Sequence, residues 1–182
     1  SKNDYTDDFS CRGRWVNYLA GGSTAYPEGP GLNIPVNMSV AFHSDAGCHP
    51  TDKLVGTFMF YTIKDDDKET TYPSGGDRIC NRDFADFIQT QIVEDIRQTM
   101  MPTWQKRHLM HQSMSETRNP KVPSTIIELL SHHNYYDMTF GLDPKFKFIA
   151  SRAIYKGMLR FIHQTTGTPY VVQPLPVQQM NI

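Results

Sequence analysis

Glu128 lies inside the run Ile126-Ile127-Glu128-Leu129-Leu130, a carboxylate with aliphatic neighbours on both sides. Such a glutamate either turns to solvent or is buried. A buried one must be paired, bound to metal or pushed toward its neutral form. His43 closes an alternating stretch in which Val36, Met38, Val40 and Phe42 are interleaved with Asn37, Ser39 and Ala41. A neutral imidazole at the end of a strand, facing a loop, is an accessible zinc ligand. Asp45 and His49 follow closely enough to orient it or to act as further ligands. The other histidines are weaker candidates. His132 and His133 form a loop pair, His108 and His111 stand three apart in a segment that does not read as a helix, and His163 falls late in a surface helix. The sequence has no phosphate-binding glycine loop, no Gly-x-Ser-x-Gly elbow, no His-Glu-x-x-His and no Cys-x-x-Cys.

The elements that must hold these residues follow from periodicity. Thr6, followed by Asp7 and Asp8, suits a helix start over 6–20, ended by Gly21-Gly22. Residues 23–35, rich in Gly and Pro, read as a loop. The alternation over 36–43 predicts a strand, and the nearly all-apolar stretch 54–61 a buried one. Residues 65–76 read as an exposed loop. Asn81 is the expected cap of a helix carrying Phe84, Phe87, Ile88, Ile92 and Ile96, stopped near Pro102. A weak strand over 104–114 and an apolar strand over 125–130 come next. Asp143 and Pro144 then open a long amphipathic helix reaching Ile162. Tyr170-Val171-Val172 is expected to form a final strand, and Gln173-Pro174-Leu175-Pro176 a linker out of the domain.

Strands alternating with helices make this an α/β chain, with a mixed, largely parallel sheet flanked by helices. Residues 1–168 are expected to form one domain and residues 169–182 the final strand and linker. Sites in such sheets gather at the carboxyl ends of strands, where His43 and Glu128 fall. The 182 residues suffice for one sizeable core. A net charge of -1 creates no field for nucleic acid or an anionic membrane, and no stretch is apolar enough for a spanning helix. Cys11, Cys48 and Cys80 are odd in number and far apart, which fits ordinary thiols rather than a disulfide scaffold. Most of the aromatics are expected in the core, although Trp15, Tyr135, Tyr136 and Phe140 could line a sugar groove.

The order of these features resembles the zinc-dependent N-acetylmuramoyl-L-alanine amidases. Ser39-Val40-Ala41-Phe42-His43-Ser44-Asp45-Ala46 is similar to that family's strand ending in Ser-x-His-x-Asn. Residues 6–20 resemble its preceding helix, with an insertion over 21–35. Pro123-Ser124-Thr125-Ile126-Ile127-Glu128 is similar to its Pro-x-x-Leu-Val-Glu strand, and residues 131–134 and 143–161 to the loop and long helix that follow. Within that resemblance the likeness is greatest to secreted bacterial proteins labelled xanthan lyases. The resemblance implies an amidase-like, phosphorylase/hydrolase-like fold, zinc as cofactor, His43 as a zinc ligand and Glu128 as the catalytic carboxylate. It also implies peptidoglycan as substrate and a secreted, periplasmic or cell-surface location. The sequence departs from the family in three ways. The family's zinc ligands include an earlier His and an earlier Glu, whereas no His precedes His43 and the only earlier glutamate, Glu28, lies in the insertion. The family's first strands have no counterpart, and Asp45 stands where the family has Asn. The expectation is therefore the C-terminal part of such a domain, completed by an upstream segment or further domains. The alternative is a non-catalytic cell-wall or glycan-binding module that keeps the amidase shape.

Overall fold

The structure, a computed structural model, describes residues 3–23, 29–47 and 53–174. Among the described residues nine elements follow one another: α1 (Asp4–Ala20), β1 (Ser39–Asp45), β2 (Thr57–Tyr61), α2 (Cys80–Thr99), β3 (Lys106–His111), α3 (Ser115–Arg118), β4 (Ser124–Ser131), α4 (Tyr135–Gly141) and α5 (Pro144–Thr166). The strands form one sheet in the order β1-β4-β2-β3. β1 runs parallel to β4 and β2 parallel to β3, while β2 and β4 are antiparallel. This is the mixed, largely parallel sheet expected from the sequence.

β2 and β4 are central and covered on both faces, which is why their sequences are apolar without clean alternation. On one face Met59, Ile127 and Leu129 pack with Phe84, Ile88 and Ile92 of α2 and Phe146, Ala150 and Phe161 of α5. α2 and α5 approach closely at Gly157, where an added Cβ would stand 2.6 Å from the Ile88 Cα. On the other face Phe58, Phe60 and Ile126 form a smaller cluster with Ala41, Met110 and Met114. Buried polar groups tie the two layers together. The Trp104 indole donates to Thr57 Oγ1 (2.9 Å), which donates to the Leu129 carbonyl (2.6 Å). Gln89 Nε2 donates to the Thr57 and Arg107 carbonyls at 3.0 and 2.8 Å, anchoring both sides of Phe58.

Several local expectations are corrected. The cap of α1 is Asn3, whose side chain accepts from Tyr5 N and Thr6 N, so the helix starts before Thr6. Asn81 does not cap α2. It is fully buried, accepts from Tyr72 Oη and Ser124 N, donates to the Thr62 carbonyl, and so joins α2 to β4. Residues 170–172 form no strand, and residues 175–182 lie outside the described residues. Two short helices, α3 and α4, fall in stretches to which the sequence reading assigned no element. Asp143 caps α5 with Pro144 in its first turn, as read from the sequence. Of the four aromatics named for a sugar groove, Trp15 is 57 % and Tyr135 90 % exposed, whereas Phe140 packs edge-on against Trp104.

Candidate functional site

A row of residues crosses the sheet on the face away from α2 and α5. His43 of β1 is in register with Glu128 of β4, and Glu128 with Phe58 of β2. Irregularities in pairing flank the row on both sides. The β1–β4 register shifts between His43 and Asp45, and the β2–β3 register between Thr57 and Met59. The second shift brings both Arg107 and His108 to Phe58. The Arg107 guanidinium sits 4.1 Å above the ring, and the His108 ring stacks at 5.9 Å. Such bulges re-aim side chains at the margins of sites. The Arg107 guanidinium also donates to Asp45 Oδ2 at 2.8 Å, joining β3 to the end of β1.

The group that meets His43 is one that sequence reasoning missed. His43 Nε2 lies 3.0 Å from Glu116 Oε1, and Arg12 of α1 donates to the same oxygen at 3.1 Å. Glu116 is buried on α3, and its position is fixed from both sides. Gly13 lets α1 approach, since a Cβ there would stand 2.8 Å from the Ser115 carbonyl. Asn17 donates to the Asn119 carbonyl and accepts from Lys121 N, and Ser115 Oγ donates to the Phe9 carbonyl. Below, the buried Arg78 donates to the carbonyls of Arg118 and Pro120. A four-residue helix is too short for periodicity to reveal. The one available signal was a glutamate next to Ser115 in a polar run between Met114 and Pro120.

The two glutamates have opposite electrostatics. Burial pushes the Glu128 carboxyl up to about 7, and Asp45 adds to this, while His43 and Arg107 oppose it. Its Oε2 is buried with no hydrogen-bond partner among the described residues. Burial also acts on Glu116, but hydrogen bonds from His43 and Arg12 outweigh it and hold its carboxyl below the ordinary value. The hydrogen bond to Glu116 raises His43 above the ordinary imidazole value. Environments that drive two carboxyls apart mark out one as the proton carrier and the other as a fixed charge. Here the raised carboxyl is Glu128 and the lowered one is Glu116, with His43 between them.

The remaining histidines do not join this cluster as ligands. His132 Nδ1 is 2.9 Å from Ser44 Oγ, His133 packs edge-on against His132, His111 stacks on Tyr61, and His163 meets the Thr168 carbonyl. His49 and Glu28 lie outside the described residues. Among the described residues no group of three His, Cys, Asp or Glu is arranged to hold a metal ion. One imidazole whose Nε2 is engaged by a carboxylate does not make a closed zinc site, so these residues by themselves do not fit zinc. Cys80, pushed up to about 11 mainly by burial, is an inert thiol, and Cys11 is free and exposed. A cavity of about 410 Å³ reaches His43 from the side of Phe42, Leu129, Met138 and Phe146, and Glu128 is not part of its lining.

No family model matches the sequence, and no curated protein matches it. Solved structures do. The chain is similar to an N-acetylmuramoyl-L-alanine amidase from Clostridium difficile 630, with TM-score 0.56 and 15 % identity over 71 % of this chain and 60 % of that one. It is also similar to the CwlD amidase of Clostridioides difficile, solved in complex with the GerS lipoprotein (TM-score 0.53, 20 % identity, 72 % and 57 % covered). A third likeness is to the catalytic domain of CwlV, an N-acetylmuramoyl-L-alanine amidase from Bacillus (Paenibacillus) polymyxa var. colistinus (TM-score 0.53, 14 % identity, 71 % and 60 % covered). At these identities the likeness is one of fold. The chain spans about 60 % of the length of each of these three structures.

Proposed function

We propose that this chain carries the acid–base half of a hydrolase for amide bonds in peptidoglycan, acting at the cell wall outside the cytoplasm. The observation that carries the proposal is Glu128, a half-buried carboxyl near pH 7 with an unpartnered oxygen, in register with His43. A carboxyl balanced near neutral pH can accept a proton and return it within one turnover. In the proposed reaction Glu128 takes a proton from water as the water oxygen bonds to the amide carbonyl carbon. It then gives that proton to the leaving nitrogen as the carbon–nitrogen bond breaks, yielding a carboxylic acid and an amine. The bond would be the one joining a lactyl carbonyl to the first alanine of a stem peptide. His43, held by Glu116 in a bond that favours its charged form, stands beside Glu128, where negative charge gathers on the carbonyl oxygen. Zinc, with His43 among its ligands, would need further donors from outside the described residues.

The test is hydrolysis of a soluble muramyl peptide followed by mass spectrometry. Release of the free peptide by the native chain and its loss in Glu128→Gln is the expected result. Equal release by both proteins would overturn the role of Glu128.

The incomplete donor set favours a second reading, a glycan-binding module that keeps the amidase shape without cutting. Binding of cell-wall glycan with no release of peptide by the native chain would establish it.

A further inference from the structure

We propose that the outward face of α1 binds a glycan strand whose sugars carry carboxylate groups, with Trp15 and Arg14 as its anchors. The proposal rests on the reading that the protein works on cell-wall glycan. α1 packs against α3 and its flanks through Gly13 and Asn17, the two buried residues of the helix. The other side presents Asp7, Cys11, Arg14 and Tyr18 at intervals of three and four, with Ser10 and Trp15 flanking them, which makes one continuous stripe. That stripe lines a cavity of about 630 Å³, wide enough for more than one sugar ring.

Trp15 has no place in the core, at 57 % exposure, and stacks on Tyr18 with ring centroids 5.2 Å apart and planes 27° apart. An indole held in one orientation with a face open to water offers an apolar plate for the C–H face of a pyranose. Arg14 supplies the polar half of the recognition, its guanidinium exposed and without a hydrogen-bond or ion-pair partner among the described residues. Asp7 and Arg14 are two helical turns apart, about 10 Å, so the carboxylate of one does not cancel the cation of the other. A free guanidinium beside an aromatic plate matches a sugar bearing a carboxylate better than a neutral one.

The helix also links this face to the candidate catalytic groups. Arg12, three residues before Trp15 and so about 4.5 Å along the axis, is the residue that holds Glu116 against His43. Hydrolysis of the lactyl–alanine amide leaves a glycan whose lactyl groups are free carboxylates. A site of this chemistry on α1 would keep the protein on strands it has already stripped while neighbouring amide bonds come within reach.

The experiment titrates the full chain with peptide-free glycan strands, and with chitotetraose as the neutral control. It follows tryptophan fluorescence and calorimetry. Trp104 is fully buried, so the fluorescence change reports Trp15. Saturable binding of the stripped strands is expected, tighter than that of chitotetraose and weakened by salt. Trp15→Ala and Arg14→Gln should each weaken it by roughly tenfold or more, the worth of one charge-assisted contact, and Trp15→Phe should keep most of it. Both side chains are exposed, and circular dichroism of each variant checks the fold. No binding, binding unchanged in Trp15→Ala, or equal affinity for chitotetraose would overturn the proposal. So would a dimer in sedimentation that Trp15→Ala dissociates, because a second copy would then occupy the face. Stripped strands contain no lactyl–alanine amide, so the result is independent of hydrolysis. Binding without cutting sinks only the hydrolase reading, and cutting with Trp15-independent binding sinks only this one.

Discussion

Replacing Glu128 by Gln should abolish turnover and at the same time stabilise the protein above neutral pH. An ordinary glutamate titrates near 4.5, and burial pushes Glu128 up to about 7. Below about pH 4.5 the carboxyl is protonated in both the folded and the unfolded chain and costs nothing extra. Between the two values the folded chain keeps a proton that the unfolded chain has lost, so stability falls as pH rises. Above about 7 both forms are ionised, and the full cost of holding a charge among apolar neighbours is present. At about 1.4 kcal/mol per pH decade the gap corresponds to roughly 3 kcal/mol. Glu128 is only half-buried, and solvent screening reduces this to about 1–2 kcal/mol. Gln has nearly the shape of the neutral carboxyl and never ionises. Chemical unfolding at pH 5 should therefore give nearly equal stabilities, and at pH 8 the variant should be more stable by about 1–2 kcal/mol, or roughly 2–8 °C in Tm for a chain of this length. His43, raised mainly by its bond to Glu116, also contributes stability that fades as pH rises through its folded value, and because Glu128 is one of the charges that raise it, the variant loses that attraction and the gain at pH 8 falls toward the lower end of this range. A variant that is inactive and equally destabilised at both pH values would refute the reasoning, because its defect would then be packing rather than a displaced proton.

Gly157→Ala sets about 1 kcal/mol of helix propensity against a Cβ only 2.6 Å from the Ile88 backbone. Backbone cannot yield as a side-chain tip does, so a net loss of about 1–2 kcal/mol in urea unfolding is expected, and a gain would show that α2 and α5 can separate freely. Asp137 is fully buried and accepts backbone hydrogen bonds from Val55 and Gly56 ahead of β2 and from Ser131 at the end of β4. In Asp137→Asn one acceptor oxygen becomes a donor, and hydrogen exchange at Gly56 and Ser131 should quicken with a stability loss of about 2 kcal/mol; unchanged exchange would mean that these amides find other acceptors. Dialysis of the chain against a chelator should leave its thermal unfolding unchanged, since the described residues build no three-ligand site; a fall in Tm would reveal a resident metal.

The sheet and its long helices were legible because they are written in local patterns. Alternation before His43 marks β1, the aliphatic run around Glu128 marks β4, and Asp143-Pro144 opens α5. Caps were less legible. Asn3 and Thr6 are both good cap residues, and only the turn that forms decides between them. Asn81 looks like a cap in sequence, yet its amide is spent on Thr62, Tyr72 and Ser124, three partners brought in by tertiary structure. Glu128 stood out because its neighbours are apolar. Glu116 did not, because nothing within four residues of it distinguishes a surface glutamate from a buried one.

That difference bears on how the site works. Glu128 owes its displaced proton to burial in β4, which the strand's own sequence imposes. His43 owes its state to Glu116, and Glu116 is held by Arg12, so the charge beside Glu128 depends on segments at positions 12, 43 and 116 meeting in the folded chain. The raised carboxyl is thus part of the sheet, while the imidazole next to it is positioned by α3 and, through Arg12, by α1. α1 reaches the imidazole through Arg12 and Glu116, and its inner face is locked to α3 by Gly13 and Asn17, so the packing of these two helices fixes where Glu116 stands.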